Sequence, residues 1–151
     1  MAIEDDIQQH EFRNPYQKAT INLLYTSSWM GGQQATLLKP FDLTPPQYNV
    51  LRILRGQYPE SVTVNAIIER MLDKMSNASR LVDKLEAKQL VTRTTCPSDR
   101  RAVDVRITEK GLSVLAEIDQ HQDSWEHRLH TLSESEATLL SALLDKFRSS
   151  P

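Results

Sequence analysis

Leu90-Val91-Thr92-Arg93-Thr94-Thr95-Cys96-Pro97-Ser98-Asp99-Arg100-Arg101-Ala102-Val103-Asp104-Val105-Arg106-Ile107-Thr108-Glu109-Lys110-Gly111 holds two β-type runs around a turn. The runs Val91 to Cys96 and Val103 to Ile107 are rich in Val, Ile and Thr, whose branched side chains suit a pleated backbone. Pro97-Ser98-Asp99 supplies turn chemistry between them. The expected element is a hairpin over residues 91–107 with a cationic tip. Arg100 and Arg101 are placed where the chain reverses, so their side chains can project from the body. Asp99 is placed to hold one guanidinium in a fixed fork. An arginine oriented in this way suits a narrow DNA minor groove, where the potential is most negative.

The residues upstream read as two short helices. Ser76 is a candidate cap for a helix over residues 76–88, in which Ala78, Leu81, Val82 and Leu85 form one apolar stripe. Its opposite face carries Asn77, Arg80, Asp83 and Lys84. Thr63 is a candidate cap for a preceding helix with Val64, Ile67, Ile68 and Met71 at the same spacing. The connection, Leu72-Asp73-Lys74-Met75, is brief enough for a helix-turn-helix. A helix-turn-helix followed by a basic hairpin is the order of a winged helix.

These residues resemble the multiple antibiotic resistance regulator (MarR) family of bacterial transcription. The resemblance covers Leu43-Thr44-Pro45-Pro46-Gln47-Tyr48-Asn49-Val50-Leu51, Ser79 to Lys88, Leu90-Val91-Thr92-Arg93, Asp99-Arg100-Arg101 and Ile107-Thr108-Glu109-Lys110-Gly111. Each piece alone is weak, but in this order they are specific. One departure is Gln89, where the family usually has Gly before the Leu-Val that opens the wing. A left-handed backbone there would cost Gln roughly 1 kcal/mol relative to Gly, so a different helix ending is expected.

The resemblance implies a homodimer interlocked through N- and C-terminal helices. It also implies a small aromatic or phenolic ligand bound between the DNA-binding lobe and the dimer helices, where it would alter the spacing of the two reading heads. Tyr25, Trp29 and Tyr48 are candidate pocket residues, with ordinary core aromatics the equal alternative. Arg101 takes the place of the family's wing-tip arginine, with Asp99 as its orienting partner.

With 151 residues and 39% hydrophobic content, the chain can build one domain with a core. The expected division is a mainly α fold with a small β-hairpin wing: a winged helix-turn-helix lobe at 41–108, and dimerisation helices at 1–40 and 109–151. The start, Met1 to Asp6, is acidic, and no long apolar run appears, so a cytoplasmic protein with no membrane partner is expected. The net charge of -2 conceals an asymmetry. Residues 70–110 hold ten Lys and Arg against six Asp and Glu, while the remainder carries an excess of six negative charges. Concentration of positive charge in the helix-turn-helix and wing is the footprint that phosphate binding requires.

Outside the lobe, Asn14-Pro15 should start a long helix through Ile21, Leu23, Leu24, Tyr25, Trp29 and Met30 that Pro40 ends. It is apolar on more than one face, as a helix buried on several sides would be. Gly31-Gly32 within it suggests a bend or a close crossing. Thr44-Pro45-Pro46-Gln47 should cap a helix to about Arg55 with Tyr48, Leu51 and Leu54 on its apolar face. Thr108 should cap a helix through Leu112, Leu115 and Ile118 to beyond Trp125, as far as Leu129. Ser133-Glu134-Ser135-Glu136 is a capping box for a last helix. Its Leu139, Leu140, Leu143 and Phe147, with Ile7 and Phe12 near the N-terminus, are the candidate dimer interface.

The expected function is sequence-specific binding of double-stranded DNA by a homodimer, most simply as a ligand-responsive repressor on an inverted repeat. Asn77, Ser79, Arg80 and Lys84 are the candidate groove-facing residues. Arg80 suits guanine, Asn77 suits adenine, and Ser79 and Lys84 suit phosphate. Arg93 and Arg100 are candidates for the backbone. Alternatives left open are a winged-helix module that binds protein, and a metal- or thiol-responsive regulator. Cys96 is the only cysteine, and no nucleophile-base motif surrounds it, so neither an enzyme nor a cofactor is expected. His121, His127 and His130 lie close in sequence, with His127 and His130 at i, i+3, but without obvious further metal ligands.

Overall fold

The structure of the chain, a computed structural model, describes residues 1–96, 98–127 and 130–149, apart from the side chains of Cys96, Arg100 and Arg101. Leu129, the expected limit of the helix after the wing, lies outside the described residues. The chain divides into two compact units, Met1–Leu112 and Ser113–Pro151.

The first unit opens with α1 (Ile3–Asp6) and α2 (Pro15–Leu38), followed by a 3-10 turn (Lys39–Phe41) and α3 (Pro45–Gln57). A short strand β1 (Val62–Thr63) leads into α4 (Val64–Arg70) and α5 (Ala78–Ala87). The hairpin β2 (Val91–Cys96) and β3 (Asp99–Ile107) precedes α6 (Glu109–Glu126), which runs on into the second unit. The three strands form an antiparallel sheet in the order β1-β3-β2. Strand β1 pairs Val62 with Val105 and is too short for a period-two pattern to reveal it in the sequence.

Local chemistry sets the helix starts. The Asn14 side chain accepts the Gln17 N–H, with Pro15 at the first helical position of α2. Thr44 and Gln47 close a capping box on α3, and Thr63 accepts the Ala66 N–H at 3.1 Å on α4. For α5 the cap is Asn77, not Ser76: its Oδ1 accepts the Arg80 N–H at 3.1 Å. Ser76 instead lies in a turn in which its own N–H donates to the Asp73 carbonyl at 3.2 Å.

Helix α3 is the centre of the lobe, packed against α2, α4, α5 and β3. Its Val50, Leu51 and Leu54 are buried, as are Ile67 of α4, Val82 and Leu85 of α5, and Val105 of β3. Each such side chain contributes about 1.5–3 kcal/mol by leaving water. Asn49 on α3 also fixes the helix-turn-helix connection, because its Oδ1 accepts the Leu72 N–H at 2.9 Å.

Helix α2 departs from expectation. Only Leu38 among its 24 residues is buried, and Tyr16, Leu24, Tyr25 and Trp29 are exposed. A side chain added at Gly31 or Gly32 would meet open space, so no close crossing occurs there in the single chain. The second unit holds the rest of α6 and α7 (Glu134–Arg148), which the Ser133-Glu136 capping box starts. The Ser133 N–H and hydroxyl both donate to Glu136 and lower its carboxyl below the usual range. Leu139, Leu140, Leu143 and Phe147 all face solvent.

Gly111 explains the small residue at the start of α6. A Cβ there would lie 2.5 Å from the Leu90 carbonyl oxygen and 2.6 Å from the Ile107 side chain. Both neighbours are fixed, one as backbone and the other as core. Gly111→Ala is therefore expected to destabilise the protein by about 2 kcal/mol or more through overpacking. Denaturant unfolding of the variant checks this, and an unchanged midpoint would show that α6 can shift to accommodate the methyl.

Candidate nucleic-acid interface

Helix α5 presents two chemically distinct faces. Ala78, Val82 and Leu85 are buried, Leu81 is half-buried, and Asn77, Ser79, Arg80, Asp83 and Lys84 are exposed. The α3-to-α5 packing therefore turns the polar edge outward as a ridge with two long basic side chains. Asn77 lies at the ridge's start, but its side-chain oxygen is occupied as the helix cap. That is the acceptor a bidentate contact to adenine would need, which leaves its amide N–H groups as the donors on offer.

The ridge joins the hairpin through a tight helix ending. Gln89 adopts a left-handed φ of 61°. The Gln89 N–H donates to the Glu86 carbonyl at 2.9 Å, and the Leu90 N–H donates to the Leu85 carbonyl at 3.0 Å. These two bonds, with Leu85 and Leu90 both buried, make a Schellman ending. The expectation of a different turn at Gln89 is thus corrected: the geometry that Gly favours is kept, with Gln accepting its cost.

The hairpin also differs in detail from the expected one. Strand β3 begins at Asp99 instead of Val103, and Cys96 pairs with Asp99. Arg100 and Arg101 therefore lie on β3 instead of at the reversal. The register shifts between Thr95, opposite Val103, and Cys96, opposite Asp99. Arg100, Arg101 and Ala102 thus occupy an irregular stretch, of the kind that re-aims side chains and bends a strand. The side chains of Arg100, Arg101 and Cys96 lie outside what is described, and so does any contact from Asp99 to Arg101.

Arg93 is not free at the surface. Its guanidinium pairs with Asp83 and, at 3.3 Å, with Glu86, while its backbone N–H donates to Glu86 at 3.1 Å. Lys88, at the end of α5, donates to the Asp42 carbonyl and to Gln47 Oε1 at 3.2 Å, and its ammonium lies 3.4 Å from the Asp42 carboxylate. Gln47 is buried, so this contact ties the end of α5 to the start of α3.

The candidate aromatic residues are divided. Tyr25 and Trp29 line a cleft of about 600 Å³ between α1 and α2 with Ile3, Lys18 and Asn22. Lys18 pairs with Glu4 there, and this hydrogen bond is the main reason the Glu4 carboxyl sits below the usual range. Tyr48 belongs elsewhere: it is buried in α3, with the Arg52 guanidinium 5.8 Å from its ring centre. A second cleft, of about 740 Å³, has no signal in the sequence because the end of α5 closes it against a segment some forty residues earlier. It is lined by Ala35, Thr36 and Lys39, by Leu43 and Pro45, and by Lys84 and Lys88.

His121 lies on α6, whereas His127 and His130 lie beyond its end. α6 ends at Glu126, and His127 and His130 follow in a turn with ring centres 5.5 Å apart. Among the described residues, no three His, Cys, Asp or Glu side chains are grouped to hold a metal ion. No helix among them is long and apolar enough to cross a membrane.

Comparison with known proteins agrees with this geometry. Residues 41–102, the lobe from the start of α3 through the hairpin tip, match the MarR family. The HTH-type transcriptional regulator MhqR of Bacillus subtilis (strain 168) is 32% identical over 107 residues, covering 69% of this chain and 71% of that protein. A MarR transcription factor from Planctomyces limnophilus superposes with a TM-score of 0.67 at 31% identity, covering 89% of this chain and 98% of the other. MepR of S. aureus in its DNA complex superposes with a TM-score of 0.76 at 26% identity, covering 92% and 98%.

The left-handed Gln89 generates a stability test. Gln89→Gly removes the steric cost of that φ and should stabilise the protein by about 0.5–1 kcal/mol, after allowing for the added freedom of the unfolded chain. A thermal or urea midpoint reads the change, and a lower midpoint would show that the Gln89 side chain contributes more than its backbone costs.

Proposed function

Since the chain belongs to the MarR family of transcriptional regulators and carries its DNA-binding winged helix, we propose that it acts as a homodimeric repressor on an inverted-repeat operator. It is a regulator and not an enzyme. In this reading α5 enters the major groove and the hairpin tip enters the adjoining minor groove. Arg80 reads base edges, Ser79, Lys84, Arg100 and the Asn77 amide hold phosphate, and Arg101 inserts into the minor groove with Asp99 beside it. A two-fold pair of such lobes would place its reading helices roughly 34 to 36 Å apart, one turn of duplex.

The observation that carries the reading is the exposed edge of α5, with Ser79, Arg80 and Lys84, leading without a break through Gln89 and Leu90 into a hairpin whose second strand opens with Asp99, Arg100 and Arg101. The support for self-association is apolar area. Leu139, Leu140, Leu143 and Phe147 on α7 stay between 46% and 59% exposed in the single chain, a cost that a second copy would remove. Ile7 and Phe12, half-buried, are assigned to the same interface.

Regulation is assigned to a small aromatic or phenolic ligand. Tyr25 and Trp29 are kept as its candidate contacts because they share one cleft, while Tyr48 is withdrawn as a core residue. Binding that changed the spacing of the two lobes would lower operator affinity.

The experiment is a salt-dependent titration of wild type and Arg101→Ala against a duplex that the wild type selects from a random-sequence library. The variant should lose about tenfold or more in affinity, corresponding to 1–3 kcal/mol, without a change in melting temperature. Equal affinities would remove Arg101 from the interface, and a nearly flat salt dependence would favour a protein partner over DNA. In parallel, sedimentation should give twice the 17.3 kDa chain mass for the wild type and a single chain mass for Leu143→Arg. A monomeric wild type would overturn the dimer.

A further inference from the structure

We propose that Arg93 is a positioning residue that locks the reading helix to the wing and holds two carboxylates of that helix away from its DNA-facing cations. The inference rests on the reading of α5 and the hairpin as one DNA-binding surface. Arg93 stands on β2, opposite Val105 of β3, and so belongs to the wing. Three polar contacts tie it to α5: the guanidinium to Asp83 and to Glu86, and the backbone N–H to Glu86.

The spacing explains why one arginine can do this. Asp83 and Glu86 are three residues apart and therefore neighbours on one helix face, within the span of a planar guanidinium. Engaging the side chain and the backbone of the same residue fixes the position of β2 against α5 as well as its direction. The hairpin tip begins only three residues further on, so a change in that angle would carry Arg100 and Arg101 away from the groove that α5 occupies.

Charge supplies the second part. Two carboxylates on a helix that approaches phosphate are unfavourable by themselves. Asp83 is also three residues from Arg80, close enough to draw that guanidinium back along the helix. With Arg93 as the partner of Asp83, the Arg80 side chain remains available to a base edge. The side chains of Arg93, Asp83 and Glu86 are 38%, 56% and 40% exposed, so salt screens the pair in the free protein. Its role is therefore geometric and local, and not a large contribution to folding.

This arrangement reverses an ordinary electrostatic expectation. Removing negative charge from a DNA-binding helix normally tightens binding, yet here Asp83→Asn with Glu86→Gln should weaken it. The test is a double-mutant cycle on the selected duplex and on a random duplex, comparing wild type, Arg93→Gln, the Asp83→Asn/Glu86→Gln pair and the triple variant. Expected are losses of about tenfold in selected-duplex affinity for Arg93→Gln and for the pair, with the triple variant no worse than either. Binding to random DNA should change much less, and Arg93→Lys should recover part of the loss. Melting temperatures within a few degrees of wild type accompany these results.

If the acidic pair instead tightens selected-duplex binding, or if Arg93→Gln costs the same in both backgrounds and lowers the salt slope by about 0.9, Arg93 is a direct phosphate contact and the proposal fails. Should the triple variant unfold, the single substitution Asp83→Asn decides by the sign of its effect on selected-duplex affinity. A wild type that selects no sequence at all overturns the DNA reading and this inference with it, whereas a selective wild type with an additive cycle overturns this inference alone.

Discussion

The crossing at Leu90 is the constraint on which the lobe depends. Its N–H completes the end of α5, and its carbonyl accepts the Thr108 N–H at 3.0 Å. Thr108 Oγ1 donates to the Gln89 carbonyl at 2.8 Å and accepts the Gly111 N–H at 3.0 Å, so one side chain both caps α6 and closes the turn beside it. Lys110 donates to the Lys88 carbonyl at 3.0 Å, placing a cation at the C-terminal end of α5 where the helix dipole favours it. The carbonyls of Lys88, Gln89 and Leu90, just beyond α5, are thereby satisfied by the residues that start the next helix. Because Val91 pairs with Ile107 immediately beyond, the register of the hairpin follows from this knot. A shift by one residue would turn the buried Val91, Val105 and Ile107 to solvent.

The fold also sorts the positive charge that the sequence concentrates at residues 70–110. Lys74 donates to the Glu69 carbonyl, Lys88 to Asp42 and Gln47, Arg93 to Asp83 and Glu86, and Lys110 to Lys88. Among the described side chains, these four basic residues of the segment hold the lobe together. Counting charge by position locates the DNA-facing segment but overstates the number of phosphate contacts it can make. The side chains left exposed on α5, Arg80 and Lys84, are those that its apolar stripe forces outward.

Much of this is legible in the sequence because short-range rules decide it. The caps at Asn14, Thr44, Thr63, Thr108 and Ser133 are each a hydrogen bond over three residues, and all five occur as read. The cap of α5 was misplaced by one residue because Ser76 and Asn77 are both good capping types, and only the turn set by Asp73 and Asn49 chooses between them. The early start of β3 is not legible in the sequence because Asp99-Arg100-Arg101 has poor strand propensity, and only the pairing of Asp99 with Cys96 extends the strand that far. The Arg93 contacts cross from a strand to the preceding helix, and the lysine-lined cleft brings Lys84 and Lys88 to the end of α2, neither of which periodicity within one element reveals. For Gln89, residue preference pointed away from the left-handed turn, and the Leu85 to Leu90 packing overrode it.

Helix α2 would link the proposed self-association to the reading head. Its 24 residues span about 36 Å. One end is anchored by Leu38, fully buried in the lobe, while most of its length exposes Tyr16, Leu24, Tyr25 and Trp29. A helix apolar on several faces but buried at one end only is stable in that form if something else covers the rest, and a second copy bearing the same helix is the simplest cover. The anchored end is also where Ala35, Thr36 and Lys39 face Lys84 and Lys88 across the larger cleft. The contacts of Lys88 with Asp42 and Gln47 tie the end of α5 to the segment that follows α2 and to the start of α3, so a movement of α2 would reach α5 through that segment and α3.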